Sequence, residues 1–545
     1  MLTRSSHYAL AAASGILLAL SFPKYGHPAF GWIALAPLLV ALSASTAGRF
    51  STSEARIPIA ASRSALHAFT LGLTAGVVYF TGTLYWIARV MVIYGDLQWW
   101  VAALINAALI VYLALFPALF AVVMRRLVLA FGDAALMASP VVWVASELGR
   151  THLLSGFPWV LLGYSQIPVL PIAQLASIVG VYGVSALVTG VSAVAAMFAV
   201  ERRSLSGGGP GTANGLQLLG RAPWRAAAGV GALLLVVAVW GSVRVSRGDL
   251  TRTGNPIRVG LIQGNVDQAE KTDPARAQVI FDDHLRMTRQ VIGGGAELVV
   301  WPESSTPFFF EEYRTGADRI RAIAREAHVP ILIGSDQIEW RSENGRQVPV
   351  QYFNAAFLVR ADGTTAGVYR KMHLVPFGEY VPLRRLLFFA APLVESIGVG
   401  FGAGDNATVL PIGAHTISVA ICYEVVYPDL VRRFVRGGSE LLSTITNDAW
   451  FGPTSAPYQH FEQASMRAIE EGRYLIRSAN TGVSGIVDPY GRVLARSGIY
   501  QQTVILGEAR FLDVSTLYAR YGDVFAYASV VITLAMLLTA RRRVK

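Results

Sequence analysis

The chain has 545 residues, of which 53% are hydrophobic and only 15% are charged, and its mean hydropathy is +0.45. Soluble globular domains carry roughly 25% charged residues, so this composition excludes a protein that is water-soluble throughout. The net charge of +11 does not indicate nucleic-acid binding, because many basic residues lie at the ends of apolar runs.

Apolar runs divide the chain into three parts. Residues 1–245 form a series of long apolar runs, residues 250–515 have an ordinary globular composition, and residues 521–545 hold a last apolar run with a basic tail. We therefore predict a membrane domain with seven helices, a soluble domain, and a final membrane helix. The glycine-rich segment 204–225 is typical of a flexible linker.

Eight apolar runs are candidates for membrane helices, which need about 20 apolar residues to cross a bilayer. The runs lie near residues 8–23, 29–46, 67–91, 98–124, 133–149, 168–200, 226–243 and 523–540. The first run has a second interpretation, as a signal peptide cleaved near Ala19-Leu-Ser21.

Basic residues mark one side of these predicted helices. They occur at Arg4, Arg49, Arg56, Arg63, Arg125, Arg126, Arg202, Arg203, Arg221, Arg225 and Arg541 to Lys545. All of them lie on one side if the N-terminus is cytoplasmic, whereas Lys24, Arg244 and Arg247 are exceptions. The positive-inside rule then predicts that both termini are cytoplasmic and that the soluble domain faces outward.

Short apolar strands separated by turn signals recur through residues 250–515. Predicted strands cover residues 257–262, 296–301, 329–334, 355–359, 416–421, 440–445, 485–487 and 493–495, with a helical stretch at 316–328. Strands alternate with helices early, and a hairpin pattern appears late. This order predicts an α/β domain with two packed sheets flanked by helices, an α-β-β-α sandwich.

Three predicted strand ends carry side chains that could perform chemistry. Cys422, the only cysteine, follows an alternating strand, and Glu303 directly follows a buried one. A thiol attacks as its thiolate, which a shielded carboxylate can generate and the ammonium of Lys371 can stabilise. Alone, each residue has a structural explanation, as a buried small side chain, a helix-start carboxylate or a surface charge. Their joint occurrence at strand ends favours a catalytic set.

The segments around these residues resemble known families. Trp301-Pro-Glu303, Tyr369-Arg-Lys-Met-His373 and Cys422-Tyr-Glu424 resemble the Glu-Lys-Cys triad of the nitrilase, or carbon–nitrogen hydrolase, superfamily. Segments 156–166 and 373–380 are similar to those of the apolipoprotein N-acyltransferase family. That family also has seven spans, an outward nitrilase-like domain and one last span, so the resemblance covers essentially the whole chain.

The resemblance implies a reaction and a location. Cys422 would take a fatty acyl group from a phospholipid as a thioester and pass it to the α-amine of the diacylglyceryl-modified N-terminal cysteine of an apolipoprotein. Glu303 would be the general base, and Lys371 with a backbone N–H after Cys422 would stabilise the oxyanion. The protein would lie in a bacterial inner membrane with a periplasmic catalytic domain. We expect a monomer without a metal or cofactor.

Four further residues are candidates for supporting roles. Glu379 could hold Lys371 or Glu303, and Asn354 could form a hydrogen bond within the site. Tyr423 and Glu424 flank the thiol and could shape its pocket. For Glu379 and Asn354, ordinary loop and turn roles are the alternatives.

Aromatic and apolar residues outside the triad suggest a route for lipids. Phe157 and Trp159 could line an entrance, although aromatic residues at a membrane interface are commonly belt residues. Leu387, Phe388 and Phe389 belong to the apolar run 386–393, which would be poorly suited to an exposed loop. Many family members have tryptophan where this chain has Thr272, so substrate contacts there are in doubt.

Two other functions remain open from the sequence. A membrane-tethered nitrilase-type amidase would use the same triad but would need no lipid entrance, so segments 156–166 and 386–393 disfavour it. A transporter or binding protein with an inactive nitrilase domain is disfavoured by the intact triad and by the few charges within the apolar runs.

The run 386–393 is predicted to be a mobile lid that dips into the bilayer. Replacing Leu387, Phe388 and Phe389 together with serine should therefore lower acyl transfer in a membrane assay, because the apolar contact with lipid is removed. A variant with leucine at all three positions keeps the apolar surface and should retain activity. Unchanged transfer in the serine variant would contradict the lid.

Overall fold

The computed structural model describes residues 3–44, 57–206, 221–271, 273–343, 345–376, 378–380 and 400–543. The chain divides into two compact units. The first, called the helical unit, comprises Met1–Ala88, Gln98–Ser246 and Asp523–Lys545, and the second, called the sheet unit, comprises Arg89–Leu97 and Arg247–Gly522. The sequence analysis placed residues 89–91 in an apolar run and did not predict that residues 89–97 belong with the globular part.

The helical unit contains long helices separated by short irregular segments. Its helices are α1 (Arg4–Ala19), α2 (Ala36–Ala44), α3 (Ile57–Leu84), α5 (Trp99–Phe131), α6 (Ser139–His152), α7 (Leu170–Ala173), α8 (Ala176–Ser206), α9 (Arg221–Arg247) and α16 (Val524–Arg543). Helix α4 (Trp86–Ile93) begins in this unit, and its residues from Arg89 onward belong to the sheet unit.

Within the described residues, five helices are long and apolar enough to cross a membrane. They are Ser64–Leu84, Trp99–Phe131, Ala176–Arg202, Arg221–Thr251 and Val524–Arg543, and they coincide with five of the predicted runs. The other three runs contain shorter helices: α1 has 16 residues, Pro28–Ser43 is a short apolar helix, and α6 has 14 residues. The run 133–149 gives a short helix because a 3₁₀ turn occupies its first residues, Asp133–Ala138.

Two charged side chains of α6 are buried and hydrogen-bond an irregular segment. Glu147 Oε1 accepts a hydrogen bond from the N–H of Leu162 at 2.7 Å. Arg150 donates to the carbonyls of Trp159 at 2.6 Å and Val160 at 3.4 Å. The backbone there is not helical, with φ of +51° at Val160. Apolar surroundings require that such backbone groups find partners inside the protein, and α6 supplies them.

Arg150→Met should destabilise the helical unit. The substitution removes a donor from two buried carbonyls, and a buried polar group that loses its partner costs about 1–3 kcal/mol. The thermal unfolding midpoint in detergent should fall by several degrees, whereas Arg126→Met, at an exposed position of α5, should leave it unchanged. Equal midpoints for the two variants would contradict this role.

The sheet unit contains two six-stranded sheets, which confirms the predicted pair of sheets. The strand orders are β12-β1-β2-β3-β4-β5 and β11-β10-β9-β8-β7-β6. The strands are β1 (Asn255–Gln263), β2 (Leu298–Val300), β3 (Ile331–Glu343), β4 (Arg346–Val359), β5 (Thr365–Arg370), β6 (Val409–Ile412), β7 (His415–Ile421), β8 (Leu441–Thr446), β9 (Leu475–Ala479), β10 (Gly485–Val487), β11 (Val493–Arg496) and β12 (Thr503–Phe511).

Helices cover these sheets and complete the core. They are α10 (Gln268–Lys271), α11 (Pro274–Gly293), α12 (Arg314–Ala327), α13 (Pro428–Arg436), α14 (Ala456–Glu471) and α15 (Leu517–Tyr521). Leu285 of α11 and Ile320 of α12 pack with Val299 of β2 in one buried cluster. Between the sheets, the Ser478 hydroxyl of β9 donates to the Ile262 carbonyl of β1 at 2.7 Å. The predicted late hairpin is confirmed, since β10 and β11 pair antiparallel.

Candidate active site

Strand ends bring Glu303, Lys371 and Cys422 together. Lys371 directly follows β5 and Cys422 directly follows β7, while Glu303 lies in the turn after β2. The strands β2 and β3 are parallel, and β5 runs in the same direction because β4 is antiparallel to both β3 and β5. The three residues are 6%, 1% and 7% exposed. They therefore form a site that is largely shielded from water.

The ammonium of Lys371 is paired with two carboxylates. Its Nζ lies 2.8 Å from Glu379 Oε1 and 3.5 Å from Glu303 Oε1. Burial alone lowers the pKa of Lys371, but the carboxylates of Glu379 and Glu303 raise that pKa well above its ordinary value. Lys371 is therefore a fixed positive charge between Glu379 and Glu303.

Asn354 of β4 connects the same groups. Its Nδ2 donates to Glu303 Oε1 at 2.7 Å and to Glu379 Oε1 at 3.3 Å. Its backbone carbonyl accepts a hydrogen bond from the N–H of Lys371 at 2.8 Å. One side chain thus aligns both carboxylate oxygens toward the lysine.

The remaining contacts of Glu303 come from residues that the sequence analysis did not identify. Its Oε2 accepts a hydrogen bond from the N–H of Asn447, directly after β8, at 2.8 Å. Its carbonyl accepts one from Lys271 Nζ at 3.1 Å. The turn lies close against β3, because a Cβ at Gly334 would meet the Pro302 carbonyl at 2.3 Å. The carboxylate is therefore held at both oxygens and along its backbone.

Cys422 lies at a sharp corner between β7 and the 3₁₀ turn Cys422–Val426. Its φ of +52° is in the left-handed region, which non-glycine residues rarely adopt outside constrained sites. Burial raises the pKa of the thiol and Glu303 raises it further, whereas Lys371 lowers it. Burial outweighs the effect of Lys371, so the resting thiol keeps its proton.

Glu424 joins the two loops that carry Lys371 and Cys422. Its Oε1 accepts hydrogen bonds from the Tyr369 hydroxyl at 2.7 Å and from the N–H groups of Met372 at 2.7 Å and His373 at 3.0 Å. Its Oε2 accepts one from the N–H of Ile421 at 2.7 Å. Burial raises the pKa of Glu424 to about 7, against these hydrogen bonds. Glu424 therefore positions the site through the backbone.

Tyr423 belongs to an aromatic group beside the thiol. It is 7% exposed, and its ring lies 5.3 Å from that of Tyr427 and 6.0 Å from that of His373. Cys422 itself contacts a residue that the sequence analysis missed: His460 Nε2 lies 3.1 Å from the Cys422 carbonyl oxygen, across 38 residues of sequence. No local motif links the two positions.

The predicted entrance residues belong to the helical unit or lie outside the described residues. Phe157 and Trp159 lie in the helical unit, where Trp159 is 1% exposed and its ring centroid is 5.5 Å from that of Trp86. Leu387, Phe388, Phe389 and Thr272 lie outside the described residues. Within the described part of the chain, no group of three or more His, Cys, Asp or Glu residues could hold a metal ion.

The fold of the sheet unit is that of the carbon–nitrogen hydrolases, and residues 258–517 match the carbon-nitrogen hydrolase family. Residues 14–194 match the family described as apolipoprotein N-acyltransferase N-terminal domain. The chain also shares 21% identity with an amidase from Nesterenkonia sp., with a TM-score of 0.36 over 51% of this chain and 97% of that one.

Full-length relatives give the family. An apolipoprotein N-acyltransferase of Geobacter metallireducens is 39% identical over 96% of this chain and 93% of its own length. Those of Methylococcus capsulatus and Agrobacterium fabrum are 31% and 30% identical, over 94% and 99% of this chain and 92% and 97% of their own lengths. The chain belongs to the apolipoprotein N-acyltransferase family, which confirms the resemblance drawn from its motifs.

Glu379→Gln should lower the catalytic rate by about a hundredfold, the scale of losing one oxyanion donor. Glu379 accepts from Lys371 at one oxygen and from the N–H of Val375 at the other, at 2.7 Å, so a glutamine must oppose a donor with its own NH₂. Lys371 would then lose its closest anionic partner. Glu311→Gln, an exposed carboxylate that accepts from Gln337, is the matched control and should leave the rate unchanged. A wild-type rate in Glu379→Gln would refute the role.

Proposed function

We propose that this protein transfers a fatty acyl group from a phospholipid to the α-amine of the lipid-modified N-terminal cysteine of apolipoproteins, through a thioester on Cys422. The observation that carries the proposal is the buried arrangement of Glu303, Lys371 and Cys422 at three strand ends. It occurs in a chain whose relatives, over nearly their full length, are named apolipoprotein N-acyltransferase.

The first half-reaction forms the acyl-enzyme. The Cys422 thiol gives its proton to the Glu303 carboxylate as its sulfur attacks the ester carbonyl carbon of the phospholipid. Negative charge develops on the carbonyl oxygen, where Lys371 and a backbone N–H after Cys422 stabilise it. When the acyl carbon–oxygen bond breaks, the lysophospholipid oxygen takes the proton back from Glu303, and a thioester remains.

The second half-reaction returns the free enzyme. The α-amine of the acceptor attacks the thioester carbonyl carbon, and Glu303 accepts a proton from the amine. The carbon–sulfur bond then breaks, the amide is released, and the Cys422 sulfur regains a proton from Glu303. Transfer to an amine requires that water stays away from the thioester, and the low exposure of all three residues supports this selectivity.

The placement of basic residues supports the cellular arrangement. We infer a multi-pass protein of the bacterial inner membrane with both termini cytoplasmic and residues 250–515 periplasmic, since the arginines between apolar runs lie mostly on one side. The phospholipid donor and the diacylglyceryl-modified acceptor are both membrane-anchored, so a chain that joins apolar helices to the catalytic fold suits them. We propose that it acts as a monomer.

The proposal is tested by mass spectrometry of the full-length protein incubated with phospholipid in detergent. The wild-type protein should gain one fatty acyl group on Cys422, and Cys422→Ala should gain none. A diacylated lipopeptide with a free α-amine should then remove the acyl group and appear as the triacylated product.

The same lipopeptide with an acetylated α-amine is the matched control, because it keeps the lipid anchor but lacks the nucleophile. It should leave the acyl-enzyme intact. An adduct that persists in Cys422→Ala, or wild-type protein without an adduct, would reject the thioester. Release by the acetylated peptide as fast as by the free amine would indicate hydrolysis instead of transfer.

A further inference from the structure

A buried histidine hydrogen-bonds the backbone of the nucleophile. His460 of α14 is fully buried, and its Nε2 lies 3.1 Å from the carbonyl oxygen of Cys422. A carbonyl oxygen only accepts hydrogen bonds, so Nε2 must carry a hydrogen. A buried histidine at this position is not accounted for by the roles proposed for Glu303, Lys371 and Cys422.

The other ring nitrogen of His460 is fixed by a charged pair. Its Nδ1 lies 3.0 Å from Asp448 Oδ1 and 3.0 Å from an Arg477 guanidinium nitrogen, which in turn lies 3.0 Å from Asp448 Oδ2. Burial and Arg477 lower the pKa of His460. Burial opposes the ionisation of Asp448, but Arg477 and His460 lower its pKa to about 2. Nδ1 can accept from Arg477 or, in a charged ring, donate to Asp448, and in both cases Nε2 carries the hydrogen that faces the Cys422 carbonyl.

The ion pair itself has little freedom to move. The Thr446 hydroxyl, at the end of β8, donates to Asp448 Oδ1 at 2.8 Å, and Arg477 Nε donates to the Val483 carbonyl at 3.1 Å. A Cβ at Gly482 would lie 2.0 Å from Asp448 Oδ2, so the backbone closes against the carboxylate. Thr446, Asp448 and Arg477 are each buried to within 1% of complete. The orientation of the His460 ring is thus determined by Asp448 and Arg477, which Thr446 and the backbone at Gly482 and Val483 hold in place.

The contact with the Cys422 carbonyl has a consequence on the far side of the same peptide. A trans peptide is planar, so its carbonyl and its N–H point in opposite directions. Holding the Cys422 carbonyl toward His460 therefore fixes the direction of the N–H of Tyr423. This is the backbone N–H after Cys422 that stabilises the oxyanion in the proposed function.

We propose that His460 is a positioning residue for the oxyanion-stabilising peptide of Cys422 and Tyr423, and that Asp448, Arg477 and Thr446 hold its ring for that purpose. The inference rests on the proposed function for Cys422 as the nucleophile and for the oxyanion position, and it is independent of which acyl donor the enzyme uses. It also explains how the left-handed backbone of Cys422 is kept in place, since the hydrogen bond from His460 stabilises that peptide directly.

The test separates attack that creates an oxyanion from attack that does not. Full-length wild type, His460→Gln and His460→Asn are compared in detergent for acylation of Cys422 by a p-nitrophenyl fatty ester and for alkylation by iodoacetamide. Glutamine places an NH₂ group near the position of Nε2, whereas asparagine cannot reach it. Acylation of His460→Asn should fall about 10- to 100-fold, up to the scale of one lost oxyanion donor, while alkylation stays within about twofold of wild type.

His460→Gln should recover most of the acylation rate, because it restores the donor to the Cys422 carbonyl. His460→Met fills the space without any donor and serves as a second variant in case His460→Asn does not fold. Its loss of acylation should match the loss expected for His460→Asn. Acylation and alkylation that fall in parallel would indicate a general structural role and overturn the inference. Unchanged acylation in His460→Asn and His460→Met would also overturn it.

The proposed phospholipid donor and the proposed role of His460 can be rejected independently. The p-nitrophenyl ester needs an oxyanion site but no phospholipid recognition, so the comparison of variants remains informative whether or not wild-type Cys422 accepts an acyl group from phospholipid. Absence of a phospholipid-derived adduct in a wild-type protein that reacts with the ester would reject the donor and leave the role of His460 standing. Equal ester rates in all variants would reject that role and leave the donor standing.

Discussion

The site depends on one buried ammonium shared by two carboxylates. Lys371 Nζ lies 2.8 Å from Glu379 and 3.5 Å from Glu303, and breaking such a buried pair costs about 3–5 kcal/mol because a charge is left without a partner. The pairing fixes where the positive charge lies and therefore where an oxyanion can be stabilised. Asn354 and Asn447 hold the two oxygens of Glu303, so its carboxylate is fixed relative to the same charge.

In the proposed reaction, a Cys422 thiol with a raised pKa is more suitable than a permanent thiolate would be. A buried thiol that keeps its proton is a poor nucleophile until a base accepts that proton, and Glu303 is the base that we propose. The sulfur that leaves in the second half-reaction needs the same proton back, so one carboxylate can serve both steps. The raised pKa of Lys371 keeps its side chain charged, which fits the stabilising role that we propose for it.

The sequence predicted those parts of the molecule that local patterns encode. The pair of sheets, the late hairpin and five of the long apolar helices follow from apolar periodicity and run length, and the structure contains each of them. The catalytic candidates were found because each follows a strand. Apolar composition overestimated the run 133–149, since hydropathy alone does not register the 3₁₀ turn Asp133–Ala138 that shortens α6.

Contacts across long sequence separations could not be predicted in this way. His460 lies 38 residues from Cys422, Asn447 lies 144 residues from Glu303, and neither belongs to a motif that joins the two positions. Asn447 follows β8 in one sheet, Glu303 lies after β2 in the other, and His460 lies on α14, so these contacts arise only when the two sheets and the helix pack together. The candidate catalytic residues could therefore be predicted from motifs in the sequence. The residues that position them could be identified only from the fold. The φ of +52° at Cys422 is not a conformation that cysteine prefers by itself. It must be held by neighbouring residues such as His460, which no local motif indicates.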